Sequence, residues 1–242
     1  MTRRAVAAQA RVEMLLTARR GENVLVTLVI PIGVLVFFAK VDAVDTGFAQ
    51  PVDFLVPGVL ALSVMAAAMV SLGIATGFER RQGVLKRLGA TPLGGGGLLA
   101  AKTVTVLLLE AVQLALVAAV GAALGWEPTA GLLPAAGLMA LGTVAFAGVG
   151  LLLAGTLRAE ANLAVTNGLF LVLVFLGGMA YPLDRLPAAL EALARLTPAA
   201  ALAETLRGAL TPEPVPGGAL VVLAGWAIAA PLAASRWFRW EE

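Results

Sequence analysis

The sequence predicts an all-α polytopic membrane protein, and three observations predict it. Apolar runs of about 20 residues, the length of helix that crosses a hydrocarbon core about 30 Å thick, recur from end to end. Charge is scarce: 13% of the 242 residues are charged against 60% hydrophobic, with a mean hydropathy of +0.94. The charges that exist fall mostly between the apolar runs. A soluble fold has too little interior to hide that much apolar side chain, so a bilayer is the expected solvent. Within it, helix satisfies its own backbone hydrogen bonds.

In order, the chain opens on a basic stretch. Residues 5–20 place Ala7, Ala10, Met14 and Ala18 on one helical face and Gln9, Glu13 and Arg20 on the other, with Arg11 intruding on the apolar side. An interfacial helix over 5–20, its arginines toward anionic headgroups, is expected; a disordered basic tail is the alternative. No small-residue cleavage site marks the first apolar run, which is expected to stay in the mature chain. Six spans are expected, over residues 24–39, 54–78, 98–124, 132–157, 163–180 and 219–234, forming one membrane domain over 1–242. Cytoplasmic loops retain Lys and Arg. With the N-terminus inside, all basic residues but Lys40, Arg185, Arg195 and Arg207 fall inside, thirteen of seventeen, so both termini are expected to be cytoplasmic in a multi-pass cell-membrane protein.

Between the second and third spans lies a compact charged segment, 79–93. Glu79, Arg80 and Arg81 precede Gly83; Val84, Leu85 and Leu88 form an apolar ridge of the kind a partner groove accepts; Lys86 and Arg87 add charge; Gly89 and Thr91-Pro92 stop the helix. An ordinary positive-inside loop is the plainer reading. Gly96-x-x-x-x-Ala101-Lys102-Thr103 nearly matches a phosphate-binding loop, but it lacks the last glycine and leads into an apolar span rather than following a buried strand. It is not expected to bind ATP, and Gly94 to Gly97 reads as a hinge.

Glu110 sits near the middle of the third span, where a carboxylate is costly, and shares a face with Thr103 and Gln113. That stripe suggests a polar pathway, a cation site or a proton carrier; an interhelical hydrogen bond is the alternative. Gly73-x-x-x-Gly77, Gly121-x-x-x-Gly125 and Gly142, Gly148, Gly150 and Gly155 signal close helix packing. Met65 and Met69 in the second span, and Asn162, Thr166, Asn167, Phe170 and Phe175 in the fifth, offer adaptable surfaces to varied apolar ligands, although packing explains each alone.

Before the last span, residues 181–218 are too polar to cross and too apolar for a free loop. Leu186, Leu190 and Leu193 recur at helical spacing with Glu191 and Arg195 as an i,i+4 pair; Thr197-Pro198 breaks the helix; Leu202, Leu206 and Leu210 repeat the pattern beside Glu204 and Arg207. Two short amphipathic helices on the membrane surface are expected. With no cysteine and no histidine, disulfides, Cys/His metal sites, thiol nucleophiles and imidazole bases are excluded, and basic residues scattered between apolar runs do not suggest nucleic acid.

The order Glu79-Arg80-x-x-Gly83 to Thr91-Pro92 between the second and third spans resembles the coupling segment of type 2 ATP-binding-cassette (ABC) export permeases, notably the drug-resistance branch typified by daunorubicin exporters. Tyr181-Pro182-Leu183 and Leu186-Pro187 resemble the start of that family's external helices, which would act as a gate. The resemblance implies a transport subunit with no cofactor and no catalytic site of its own. Segment 79–93 would dock on ABC ATPase subunits, two per complex, which hold ATP and Mg. A second copy or a paralogous permease would complete a central cavity along the second and fifth spans, for a small hydrophobic or amphipathic drug-like substrate. Lys86 stands where the family often has an acidic residue, which alters the pairing expected with the ATPase. A proton-coupled secondary transporter using Glu110 and a non-transporting membrane scaffold are the rivals.

Overall fold

The computed structural model describes residue 11 and residues 21–41, 50–89, 94–128, 131–179 and 181–240, with only the backbone at 21–28, 88–89, 94–96 and 98–99. The expected interfacial helix over 5–20 therefore lies, apart from Arg11, outside the described residues. Helix α1 is Gly21–Val41, whose Val29–Val41 part is a shorter apolar helix. Among the described residues, five helices are long and apolar enough to cross a membrane: α2 (Pro51–Arg81), the Ala100–Ala123 part of α4 (Gly94–Ala123), α5 (Leu132–Thr156), α6 (Ala159–Leu176) and α9 (Gly217–Trp237). The short helices are α3 (Val84–Gly89), α7 (Ala188–Ala194) and α8 (Pro198–Leu210).

Helix α2 is the most deeply buried of the five. Pro51 opens it, at a position whose N–H has no helical partner in any case. Between Ala66 and Ser71 it widens to a π-helix, and at Arg81 it stops in a tight turn. There Gln82 N donates to Phe78 O at 3.0 Å and Gly83 N to Arg80 O at 3.0 Å, with Gly83 at φ 69°, a left-handed conformation that suits glycine. Gly94 is already helical, so Gly94 to Gly97 form the opening of α4 and not a hinge.

Helix α5 is the hub, because its glycines let neighbours approach to backbone distance. A Cβ on Gly150 would lie 2.7 Å from Met69 O, one on Gly142 2.7 Å from Leu202 Cδ2, and one on Gly148 2.5 Å from Pro231 N. The fifth span starts at Ala159, four residues before its expected start at 163. Its charged first turn, with Glu160, is helical, and the chain breaks only at the extended residues Leu157 and Arg158. It ends at Leu176 rather than 180, where Gly177 and Gly178, the latter at φ 63°, turn the chain.

Beyond that turn the two short helices form as expected, but α8 corrects their placement. Leu202, Leu206 and Leu210 are each 0% exposed, and α8 packs against α2, α5 and α9 inside the bundle. Thr197 caps it, its Oγ1 accepting from Ala200 N at 3.2 Å. Glu204 does not pair with Arg207. Arg195 bridges Glu191 and Glu204 at 2.9 and 2.8 Å, which raises its guanidinium pKa through the Glu191 hydrogen bond first. Arg207 donates to Gly178 O at 2.9 Å and lies 4.1 Å over the Phe54 ring, tying α8 to α2 and to the turn after α6. Burial pulls its pKa down to about 10, so it keeps its charge at neutral pH.

Candidate functional site

Three consecutive residues end α2, and each reaches a different element. Glu79 pairs with Lys102 of α4 at 2.8 Å; Arg80 donates to the carbonyl of Leu157, between α5 and α6; Arg81 pairs with Glu160 of α6. Successive helical residues point about 100° apart, so one turn faces three neighbours. Lys102 and Arg80 are each 4% exposed, whereas Arg81, Lys86 and Arg87 are exposed. Lys102 thus belongs to an internal ion pair, not to a phosphate loop.

This geometry corrects part of the expected docking surface. Arg80 points inward and is not on the rim. Leu85, at 0% exposed, packs within the chain and is not a ridge for a partner, while Val84 is only half-buried. Among the described residues of this segment, Arg81, Gln82, Lys86 and Arg87 are exposed and Glu79, Gly83 and Val84 partly so. The side chain of Leu88, and Thr91 and Pro92, lie outside the described residues.

Met65 and Met69 are both 0% exposed in the core of this chain and line no surface. Glu110, 3% exposed, accepts a hydrogen bond from Thr143 of α5, and Gln113 is buried beside it on α4. Glu110 thus makes an interhelical hydrogen bond between α4 and α5, the alternative to a pathway role. Asn167 is exposed on α6, its Nδ2 donating to Leu163 O at 2.9 Å; Phe175 is 73% exposed and Phe170 partly so. Tyr181 and Pro187 are exposed, while Pro182 and Leu186 are half-buried, Leu186 packing on Leu183, Ala194 and Ala200.

Sequence reasoning missed the partners Lys102, Thr143, Leu157 and Glu160. No periodicity links positions 23 to 79 residues apart, so only the fold could join them. Asn162, read as a pathway surface, is instead buried: its Nδ2 donates to Gly73 O at 3.0 Å and its Oδ1 accepts from Thr166 at 3.1 Å.

The described residues thus form an all-helical, multi-pass membrane protein with a short charged helix between the first two of its five long helices. The family model for the ABC-2 type transporter matches residues 2–211, and the chain belongs to that family. It is a permease component of an ABC transporter, a family whose members typically pair with ABC ATPase subunits and normally lack an ATP site of their own. Comparison with curated proteins finds no match.

Proposed function

We propose that the chain is the membrane subunit of an exporter driven by two separate ATPase subunits, which hold ATP and Mg and dock on α3 and the exposed arginine and lysine around it. The observation that carries this reading is the short helix Val84–Gly89 with exposed Lys86 and Arg87, next to exposed Arg81. The retention of thirteen of seventeen basic residues on one side supports placing α3 and both termini in the cytoplasm, at the cell membrane, where ATP is available. ATP-driven closure of the paired ATPases then displaces α3 and tilts the helices, switching access to the outside.

A second copy, or a paralogue, meets the chain along α6. Asn167 and Gly168 lie exposed there among Leu163, Leu171, Val172 and Phe175, and an amide gains a partner from another chain that lipid does not offer. The substrate, drug-like and small, hydrophobic or amphipathic as in the drug-resistance branch, passes between the copies beside Phe170 and Phe175. The near-complete burial of Glu110 in one chain favours this reading over a proton carrier.

The test is purification of the complex carrying Arg81→Glu with Arg87→Glu. The variant is expected to insert normally and lose the ATPase. A double variant that kept a fully stimulated ATPase would end the docking assignment.

A further inference from the structure

We infer that Arg80 is a positioning residue that carries the displacement of α3 into the turn between α5 and α6, with Glu79 and Arg81 as parallel ties to α4 and α6. This rests on the docking reading above and concerns what happens to the motion once it has entered the membrane domain.

Arg80 is a charged group buried where burial is costly, and its Nη2 donates to the carbonyl of Leu157. Leu157 ends α5 with an extended backbone, φ −98° and ψ 157°, so its carbonyl lies past the helical ladder at the negative end of the α5 dipole. A guanidinium suits that spot, and it grips the turn where α6 begins. On the other side of the same turn, Asn162 N donates to Arg158 O at 2.7 Å while its side chain returns to Gly73 O of α2. The turn is therefore held by α2 at two points.

Only Gln82 and Gly83 separate Arg81 from α3, and both their amides are bonded back to α2, so little of a displacement is absorbed there. Above the turn, α5 rests on α2 at Gly150 and on α8 at Gly142, so packed contacts continue to the far end of the bundle.

The absence of cysteine permits a single reporter. A bimane label on Leu190→Cys, exposed on α7 at the far end, is followed in the purified ATPase complex on adding ATP with vanadate. The native complex is expected to show a spectral shift. Arg80→Met is expected to retain the ATPase but lose the shift, and Arg80→Lys, which keeps the charge, to restore part of it. Should Arg80→Met fold poorly, Arg80→Lys and the exchange of Glu79→Lys with Lys102→Glu decide the matter: a reduced shift with the ATPase retained in the first, and a native-like shift in the second, support the ties. An undiminished shift in Arg80→Met, or in Arg80→Lys where it stands alone, overturns the inference. So do loss of the ATPase, which would make Arg80 a docking residue, and a native complex with ATPase but no shift. A native chain that binds no ATPase instead overturns the docking reading beneath it.

Discussion

The Thr143 hydroxyl has one proton and two acceptors in reach, Glu110 Oε2 and Met139 O at 2.8 Å. One proton shared between the two acceptors satisfies both contacts, as does a protonated Glu110 that donates to Thr143 while Thr143 donates on to Met139. Glu110 Oε1 finds no hydrogen-bond partner among the described residues. Glu110→Gln supplies an equivalent donor, so near-native thermal stability and equal export of cationic and neutral substrates are expected. Glu110→Leu removes the tie and is expected to cost about 0.6–2 kcal/mol in a thermal or denaturant melt in detergent. Selective loss of cationic export in the Gln variant would return the residue to the substrate path. At Gly150 the neighbour is backbone, which cannot rotate aside. Gly150→Ala is expected to destabilise by about 1–3 kcal/mol, and a variant as stable as the native chain would show that α2 and α5 do not cross this closely.

Helices show where the sequence was legible and where it was not. Gly73-x-x-x-Gly77 announced a close crossing but not its partners, and the two glycines face different ones: Gly150 of α5 and Asn162 of α6. A Cβ on Gly77 would lie 2.5 Å from Asn162 Nδ2 and displace its bond to Gly73. Gly77→Ala is therefore expected to lower the melting temperature in the native chain and to have much less effect on top of Asn162→Ala; additive effects would argue against the contact. The leucine spacing of α8 gave its helix but not its depth. Only Glu204 and Arg207 carry charge on its thirteen residues, and both are engaged, so the whole element can sink into the bundle. Leu206→Ala is expected to cost about 2–5 kcal/mol. Exposed Leu190 of α7 is expected to tolerate alanine within about 0.5 kcal/mol.

For the whole molecule, apolar run length gave the long helices to within a few residues, because the bilayer fixes that length from outside the chain. The charged segment after α2 was legible as a location but not in which side chains face outward: Arg80 and Leu85 turn inward, Arg80 to the carbonyl of Leu157 and Leu85 where α3 packs on the end of α2 and on α4. The charge asymmetry makes a prediction about sidedness. Membrane-impermeant maleimide is expected to reach Glu213→Cys in intact cells and to reach Gln82→Cys only after permeabilisation; the reverse pattern would invert the proposed orientation.

The depth of α8 bears on how the protein is made. At about 1.5 Å per residue its thirteen residues rise roughly 20 Å, too short to cross the hydrocarbon, so it cannot be lodged in the bilayer as it emerges from the ribosome. One wall of its seat is α9, synthesised after it. Biogenesis therefore ends with a docking step that waits for the last helix. A nascent chain halted before Gly217 lacks that wall, so α8 is left without part of its packing until α9 is in place.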